Sequence, residues 1–472
     1  GTIPIILEAV NRYYSNIDVT NSLYGTGGGR DGNNDFQKFI KGSLFPKELI
    51  LAIAAQESGP EFNNEICSFA KDGGIGIMQI TSLSYKGLGS GLDNYSKKND
   101  CDAKTGWIGG FSKYYSNSMQ GIYANIKDGF RVLQEKYRQK CPKESIVFNG
   151  LEFTCQDIEK ILIVWGYNGF AKDKITGEYK GTYLKDVANK LARLGEYFPG
   201  IIYENKDKLI EKLELANNNK KTIKLYSPAQ LQIIDPHGRI TGVINGEIRE
   251  EIPYSLYNPD SKGAIILFPN EPYRYVVVGI EDGNYSLTID STDNGVFTIF
   301  NAIEIPISTN AIHQYSIDWQ KLFQGEKGVT LQIDADGDGI FEKTVTADND
   351  LTHDEFILQT QTIIDFDPDT LNLKSKGKFV TVYIELPKGF DVNQIDVSSI
   401  KLNDSVQALP KPVEIGDYNN NGISELMVKF DRSKVQSIFG SGEKAFIIIT
   451  GRIFHEGNYL DFKGEDIIRV IK

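Results

Sequence analysis

No histidine occurs before residue 200; the four in the chain, His237, His313, His353 and His455, all lie beyond it. The first 200 residues therefore offer no Ser-His or Cys-His nucleophile and no His-ligated zinc, and carboxylate chemistry is what remains there. Long apolar runs are missing too. The longest, such as Ile161-Leu162-Ile163-Val164-Trp165, fall far short of the ~20 residues that a membrane-spanning helix needs. No signal peptide is visible at Gly1, so the sequence reads as a mature or trimmed form. Cysteine is scarce: Cys67, Cys101, Cys141 and Cys155, all in the first third. With no C-x-x-C and no nearby histidine, disulfides in an oxidising compartment are expected ahead of zinc. Three pairings are open; Cys67–Cys101 with Cys141–Cys155 is expected because each closes a local loop.

What is present is ordinary globular material, 40% hydrophobic and 24% charged over 472 residues, too long for one domain. Charge is uneven. Residues 1–200 carry 24 basic against 22 acidic side chains, and the remainder 27 against 41. A near-neutral first part and an acidic second part argue against a nucleic-acid partner.

The first 216 residues read as mostly helical, with periodic stretches at 3–16, 35–41, 125–140, 155–167, 182–198 and 206–216. The most informative is Leu49 to Gly59. Leu49, Ile53 and Gln56 recur at helical spacing, Pro46 opens the helix and Gly59-Pro60 stops it. Glu57 thus falls in the last turn, where the helix dipole and apolar neighbours both disfavour the charged carboxylate and raise its pKa. A carboxyl protonated near neutrality is what a general acid needs. The insertion between Thr81 and Asn125 holds Tyr85, Tyr95, Trp107, Phe111, Tyr114 and Tyr115, which could line a groove for sugar rings or form the core of a stapled lobe.

Downstream of Glu57-Ser58 come Gly73-Gly74-Ile75-Gly76-Ile77-Met78-Gln79, then Asn125-Ile126 with Gly129, then Gly166-Tyr167-Asn168-Gly169, then Tyr183-Leu184. This order resembles the soluble lytic transglycosylase and goose-type lysozyme superfamily, over about a third of the chain. The resemblance implies that Glu57 protonates the leaving glycosidic oxygen and later acts as base. It implies that Ser58 contacts the muramyl lactyl group, that Met78 and Gln79 border the sugar sites, that Tyr167 holds Glu57 or the oxocarbenium-like centre, that Asn168 supports the loop, and that Tyr183 closes the far wall. Thr81 stands near the Met-Gln where goose-type enzymes place acidic residues. Only Asp72 is left as a second carboxylate. With Asp72 in the cleft, water would be activated and hydrolysis result; without it, the muramyl 6-hydroxyl attacks and an anhydro sugar forms.

After Asn217-Asn218-Asn219-Lys220-Lys221 the texture turns to short β-prone runs separated by Gly, Asp, Asn and Pro. Each of two modules holds an acidic loop. Asp334, Asp336, Asp338 and Glu342 stand at positions 1, 3, 5 and 9 of the first; Asp417, Asn419, Asn421 and Glu425 stand at those positions of the second. Oxygen donors at this spacing, with Gly339 and Gly422 at position 6, are how a loop wraps calcium. Val345 and Val428 replace the glutamate that a helix-loop-helix calcium site needs at position 12.

The expected fold is multidomain α plus all-β: a lysozyme-like α domain over 1–216, then antiparallel, Ig-like β-sandwiches over 222–360 and 361–472. The expected function is a secreted enzyme cutting the MurNAc-GlcNAc β-1,4 bond of peptidoglycan, with structural Ca2+ in the β modules and no catalytic cofactor. The rival expectation is a surface or filament protein that self-associates through calcium-stabilised modules.

Overall fold

The computed structural model describes residues 2–15, 45–58, 78, 101–102, 107–108, 126, 129–130, 133, 145–168, 181–226, 228–259, 261–269 and 272–472. The chain forms two compact units. The first comprises Gly1–Leu225, Leu231–Tyr273 and Ile289–Ile299; the second comprises Tyr226–Gln230, Arg274–Thr288 and Phe300–Lys472.

In the first unit, helix Lys47–Ser58 follows Pro46, whose carbonyl accepts from the Leu49 amide, and Leu49 through Ala55 are all buried. Helix Cys155–Asn168 begins at Thr154, which exchanges hydrogen bonds with Asp157 in a capping box that uses Asp in place of Glu. Helix Tyr183–Ala192 buries Tyr183, Leu184, Val187, Ala188 and Leu191, one stripe at helical period. Helix Lys206–Asn217 is tied to Cys155–Asn168 by the Lys212 ammonium, 2.5 Å from Asp157 Oδ2, while Lys160 lies 3.0 Å from Oδ1. Burial alone would raise the Asp157 carboxyl; the bonded Lys212, the Lys160 charge and the Thr154 amide outweigh it and hold it at about 2.

These helices do not close on themselves. Their apolar core includes Leu256, Ile265 and Leu267 from strands Ser255–Asn258 and Gly263–Leu267. Phe268 packs on Phe148 and Phe153 of the hairpin Ile146–Phe148/Leu151–Phe153. All five residues of Gly263–Leu267 are buried, so the strand is covered on both faces. It pairs antiparallel with Lys220–Tyr226 on one side and Ser255–Asn258 on the other.

Asp290 sits at zero exposure beside Lys220–Tyr226. It accepts from the Thr222 hydroxyl through Oδ2, while its Oδ1 accepts no hydrogen bond. Lys220 reaches Asn217 O (2.7 Å) and Oδ1 (3.0 Å), capping the negative end of helix Lys206–Asn217. Burial pushes Asp290 up to about 6 against the attraction of both lysines, and draws Lys220 down to about 8 and Lys221 to about 7.

In the second unit, strands Arg274–Gly279, Ile312–Ile317, Val329–Asp334 and Lys343–Ala347 form an antiparallel ladder in that order. Helix His353–Gln361 starts with a Thr352/Glu355 capping box. Beyond it, a four-stranded sheet (Ile363–Asp367, Phe379–Glu385, Glu425–Asp431, Glu414–Gly416) and a five-stranded sheet (Thr370–Asn372, Asn458–Ile471, Gly442–His455, Ile395–Leu402, Val406–Gln407) supply one continuous core.

The expected fold class is corrected by this architecture. Strand makes up 44% of the described structure and helix 25%, and a lysozyme-like N-terminal α domain is not shown. The helices near the N-terminus rest on β-strands that lie far along the chain. Nor are all strand pairs antiparallel: Asn301 and Ala302 pair in parallel with Asp350 and Leu351, and Thr370–Asn372 with Arg469–Ile471. No described helix is long and apolar enough to cross a membrane. Cys155 is disulfide-bonded. Cys67 and Cys141 lie outside the described residues, and so does the pairing expected for them.

Candidate functional site

Glu57 is half-buried at the penultimate position of helix Lys47–Ser58, directly after the buried run that ends at Ala55. The Tyr183 hydroxyl, at the first turn of its own helix, donates to Glu57 Oε1 at 2.5 Å. Tyr183 is buried, and burial followed by the Glu57 charge pushes its hydroxyl well above the ordinary tyrosine range. It therefore remains a protonated donor at every physiological pH.

Tyr167, in the last turn of Cys155–Asn168, donates to the Met78 carbonyl at 2.7 Å. Met78 is buried, and a Cβ at Gly129 would come 2.6 Å from Met78 Cε. Glycine at 129 is thus what lets the Met78 side chain pack there. The structure brings Glu57 to Tyr183, and Met78 to Tyr167 and Gly129, from segments widely separated in sequence. Asp72 and Gln79 lie outside the described residues, as do the side chains of Ser58 and Asn168.

The loop joining Val329–Asp334 to Lys343–Ala347 gathers Asp334, Asp336, Asp338 and Glu342, one carboxylate oxygen of each lying within 4.8 Å of the others. The turn is built around Asp334, which is buried. Its Oδ1 accepts from the amides of Gly337 (2.6 Å) and Asp338 (3.2 Å), and its Oδ2 from Gly339 (2.8 Å). Glu342 Oε2 accepts from the Ala335 amide at 2.9 Å, which folds position 9 back onto position 2. Gly337 and Gly339 have φ of +78° and +92°, values that favour glycine. Four carboxylates held this close repel one another, and a cation among them relieves the repulsion. The cluster could hold a metal ion with hard oxygen donors, the preference of calcium.

The second loop repeats the turn with different chemistry. Asp417 accepts from the Asn421 and Gly422 amides, and Glu425 Oε2 from the Tyr418 amide at 2.8 Å. Here the side-chain amides of Asn419 (3.3 Å) and Asn421 (2.7 Å) donate to Oε2 of Glu385, which belongs to strand Phe379–Glu385. Glu385 carried no signal in the sequence, because its meeting with the loop depends on strand pairing and not on local spacing.

No protein-family model and no curated protein sequence matches the chain.

Proposed function

We propose that the chain cleaves glycosidic bonds of a cell-wall glycan, with Glu57 as general acid and then base. The observation that carries the reading is the Tyr183–Glu57 hydrogen bond. A carboxyl at the end of a buried helix, bonded by a hydroxyl that cannot itself ionise, is chemically suited to passing a proton to a leaving oxygen. The substrate is peptidoglycan, cut between N-acetylmuramic acid and N-acetylglucosamine. This assignment rests on the order of the motif residues, from Glu57 through Met78-Gln79, Gly129 and Tyr167-Asn168 to Tyr183. Ser58, Met78, Gln79 and Asn168 keep the substrate contacts that the resemblance implies, and Asp72 is the second carboxylate to test. No cofactor enters the reaction. The protein works outside the cell, and calcium stiffens the loop of Asp334, Asp336, Asp338 and Glu342, with Asp417, Asn419, Asn421 and Glu425 as a weaker site.

The test is digestion of purified peptidoglycan by the wild type and by Glu57→Gln, with products read by mass spectrometry. Anhydromuropeptides from the wild type alone make it a lytic transglycosylase; reducing-end products make it a lysozyme and bring in Asp72. No products from a folded wild type, with calcium present, overturn the reading.

A second reading, a structural surface protein that assembles through calcium-bound β modules, is favoured by the convergence of four carboxylates at 334–342. Large particles that a chelator disperses would support it, and a monodisperse monomer in calcium would count against it.

A further inference from the structure

A cleft of about 510 Å³ opens in the second unit, lined by Ile363, Asp365, Asp367, Asp369, Tyr383, Glu385, Tyr418, Asn419 and Glu425. No lysine or arginine lines it. Its floor is the outward face of the four-stranded sheet: Asp365 pairs with Tyr383, Ile363 with Glu385, and Glu425 with Gly416. Ile384 pairs with Leu426, which sets Glu385 and Glu425 next to each other at the following step of the ladder. Like charges placed so destabilise a sheet.

Both side chains are nearly out of water, Glu385 at 6% exposure and Glu425 at 3%, and neither forms an ion pair among the described residues. Each places Oε2 on donors of the 417–425 loop, and among the described residues no hydrogen bond reaches Oε1 of either. Burying carboxylates without a cation is costly, and such groups are ordinarily paired or bound to metal. Asp365 is exposed at the cleft's edge; partial burial first, then the charges of Asp466, Asp369, Asp367 and Glu425, push its carboxyl upward. The cleft is thus a concentration of carboxylates with no lysine or arginine in its lining.

A single metal ion does not fit that description. Among the described residues only the 334–342 group brings three or more carboxylates within a common coordination distance, and the cleft acids are not part of it. They are spread over several strands instead. The remaining wall is aromatic: the rings of Tyr383 and Tyr418 lie 4.8 Å apart at 47°, and ring faces attract organic cations. Dispersed carboxylates with an aromatic wall match an elongated ligand bearing ammonium groups.

We propose that this cleft is a binding site for an organic polyammonium ligand, whose cationic groups pair with Glu385, Glu425 and the Asp365–Asp369 row while its alkyl stem lies against Tyr383 and Tyr418. The site is independent of Glu57 and of the glycan-cleaving reading, but it takes Asn419 and Glu425 from the second acidic loop, so the polyammonium ligand is proposed there in place of calcium.

The probe is 1,5-diaminopentane, titrated calorimetrically into the full chain with calcium present to fill the 334–342 loop. The expected result is 1:1 binding that weakens as salt rises. The Glu385→Gln/Glu425→Gln double variant should lose at least tenfold in affinity, and Tyr383→Ala severalfold. The double variant should melt no lower than the wild type, because it removes a repulsion; this separates lost binding from lost fold. Absence of saturable binding in the millimolar range overturns the proposal, as does affinity unchanged by the double variant. Calcium that displaces the diamine one for one, with calcium binding itself lost in the double variant, would make the cleft a metal site and overturn it equally.

Discussion

Tyr183 and Glu57 stand 126 residues apart in the chain and 2.5 Å apart at Oη and Oε1. Replacing the buried Tyr183 by phenylalanine removes the hydroxyl that donates to Glu57 Oε1. Tyr183→Phe is expected to cost about 1.5–3 kcal/mol, the range for a hydrogen bond to a charged group, and to slow glycan cleavage. Urea unfolding checks the first expectation and a turnover assay the second. An unchanged unfolding midpoint would mean that the bond adds nothing to the fold.

Calcium is expected to raise the melting temperature through the 334–342 loop. At a hundredfold excess over its dissociation constant a ligand that binds only the folded chain adds ~2.7 kcal/mol. Asp336→Asn/Asp338→Asn should abolish the calcium-dependent part of the melt. These two are the right positions because both are exposed and each accepts a single amide through Oδ1 (from Asp338 and Ile340), which an Asn oxygen can still accept, whereas Asp334 is buried and holds the Gly337, Asp338 and Gly339 amides. A calcium shift that survives the double variant would place the ion elsewhere.

That loop was legible in the sequence because the entire turn is local: oxygens at 1, 3, 5 and 9 and glycine at 6 fix it within nine residues. The helix Lys47–Ser58 was legible for the same reason, from Pro46, the apolar run and the Gly59-Pro60 stop. The fold class was not legible. Gly263-Ala264-Ile265-Ile266-Leu267 reads as a buried strand, but nothing in it tells whether a sheet or a layer of helices covers it. The structure sets Ile265 and Leu267 in one core with Leu213, Ile161 and Leu184, a set of contacts that only the folded chain defines. Glu385 escaped notice likewise, because its neighbour Glu425 arrives through strand pairing.

The Asp157 carboxyl should impart an acid-limb dependence to stability. Its folded value, about 2, lies below the ordinary 3.8. The stability it contributes is complete above the unfolded value and is lost as pH falls through the folded one. The shift corresponds to about 2 kcal/mol between pH 4 and pH 2. Lys212→Met removes the closest cation but leaves Lys160, so a loss of about 2–3 kcal/mol near neutrality is expected, below the full cost of stranding a buried charge. The drop from pH 4 to pH 2 should become shallower in the variant. A parallel drop in both proteins would show that other carboxylates carry it.

Asp290 should behave in the opposite sense. Burial raises its folded value to about 6, so the native chain holds this proton more tightly than the unfolded chain does. The acid's contribution is therefore fully present below about pH 4 and declines as pH rises through 6, by up to about 3 kcal/mol. The two lysines decide where a substitution reveals this. Near pH 7 Lys220 is largely charged and Lys221 about half so, given values of about 8 and about 7, and the Asp290 carboxylate offsets them. At pH 9 both are mostly neutral, and Asp290 remains as a buried anion with one oxygen unbonded. Asp290→Asn should then be more stable than the wild type by about 1–3 kcal/mol, since no buried charge is left to solvate. At pH 5, where the wild-type carboxyl is itself mostly protonated, the two should unfold at nearly the same denaturant concentration. Chemical denaturation at pH 5, 7 and 9 reads all three points. A variant that is less stable at pH 9 would mean that the lysines keep their charge in the fold and need Asp290 as their counter-ion.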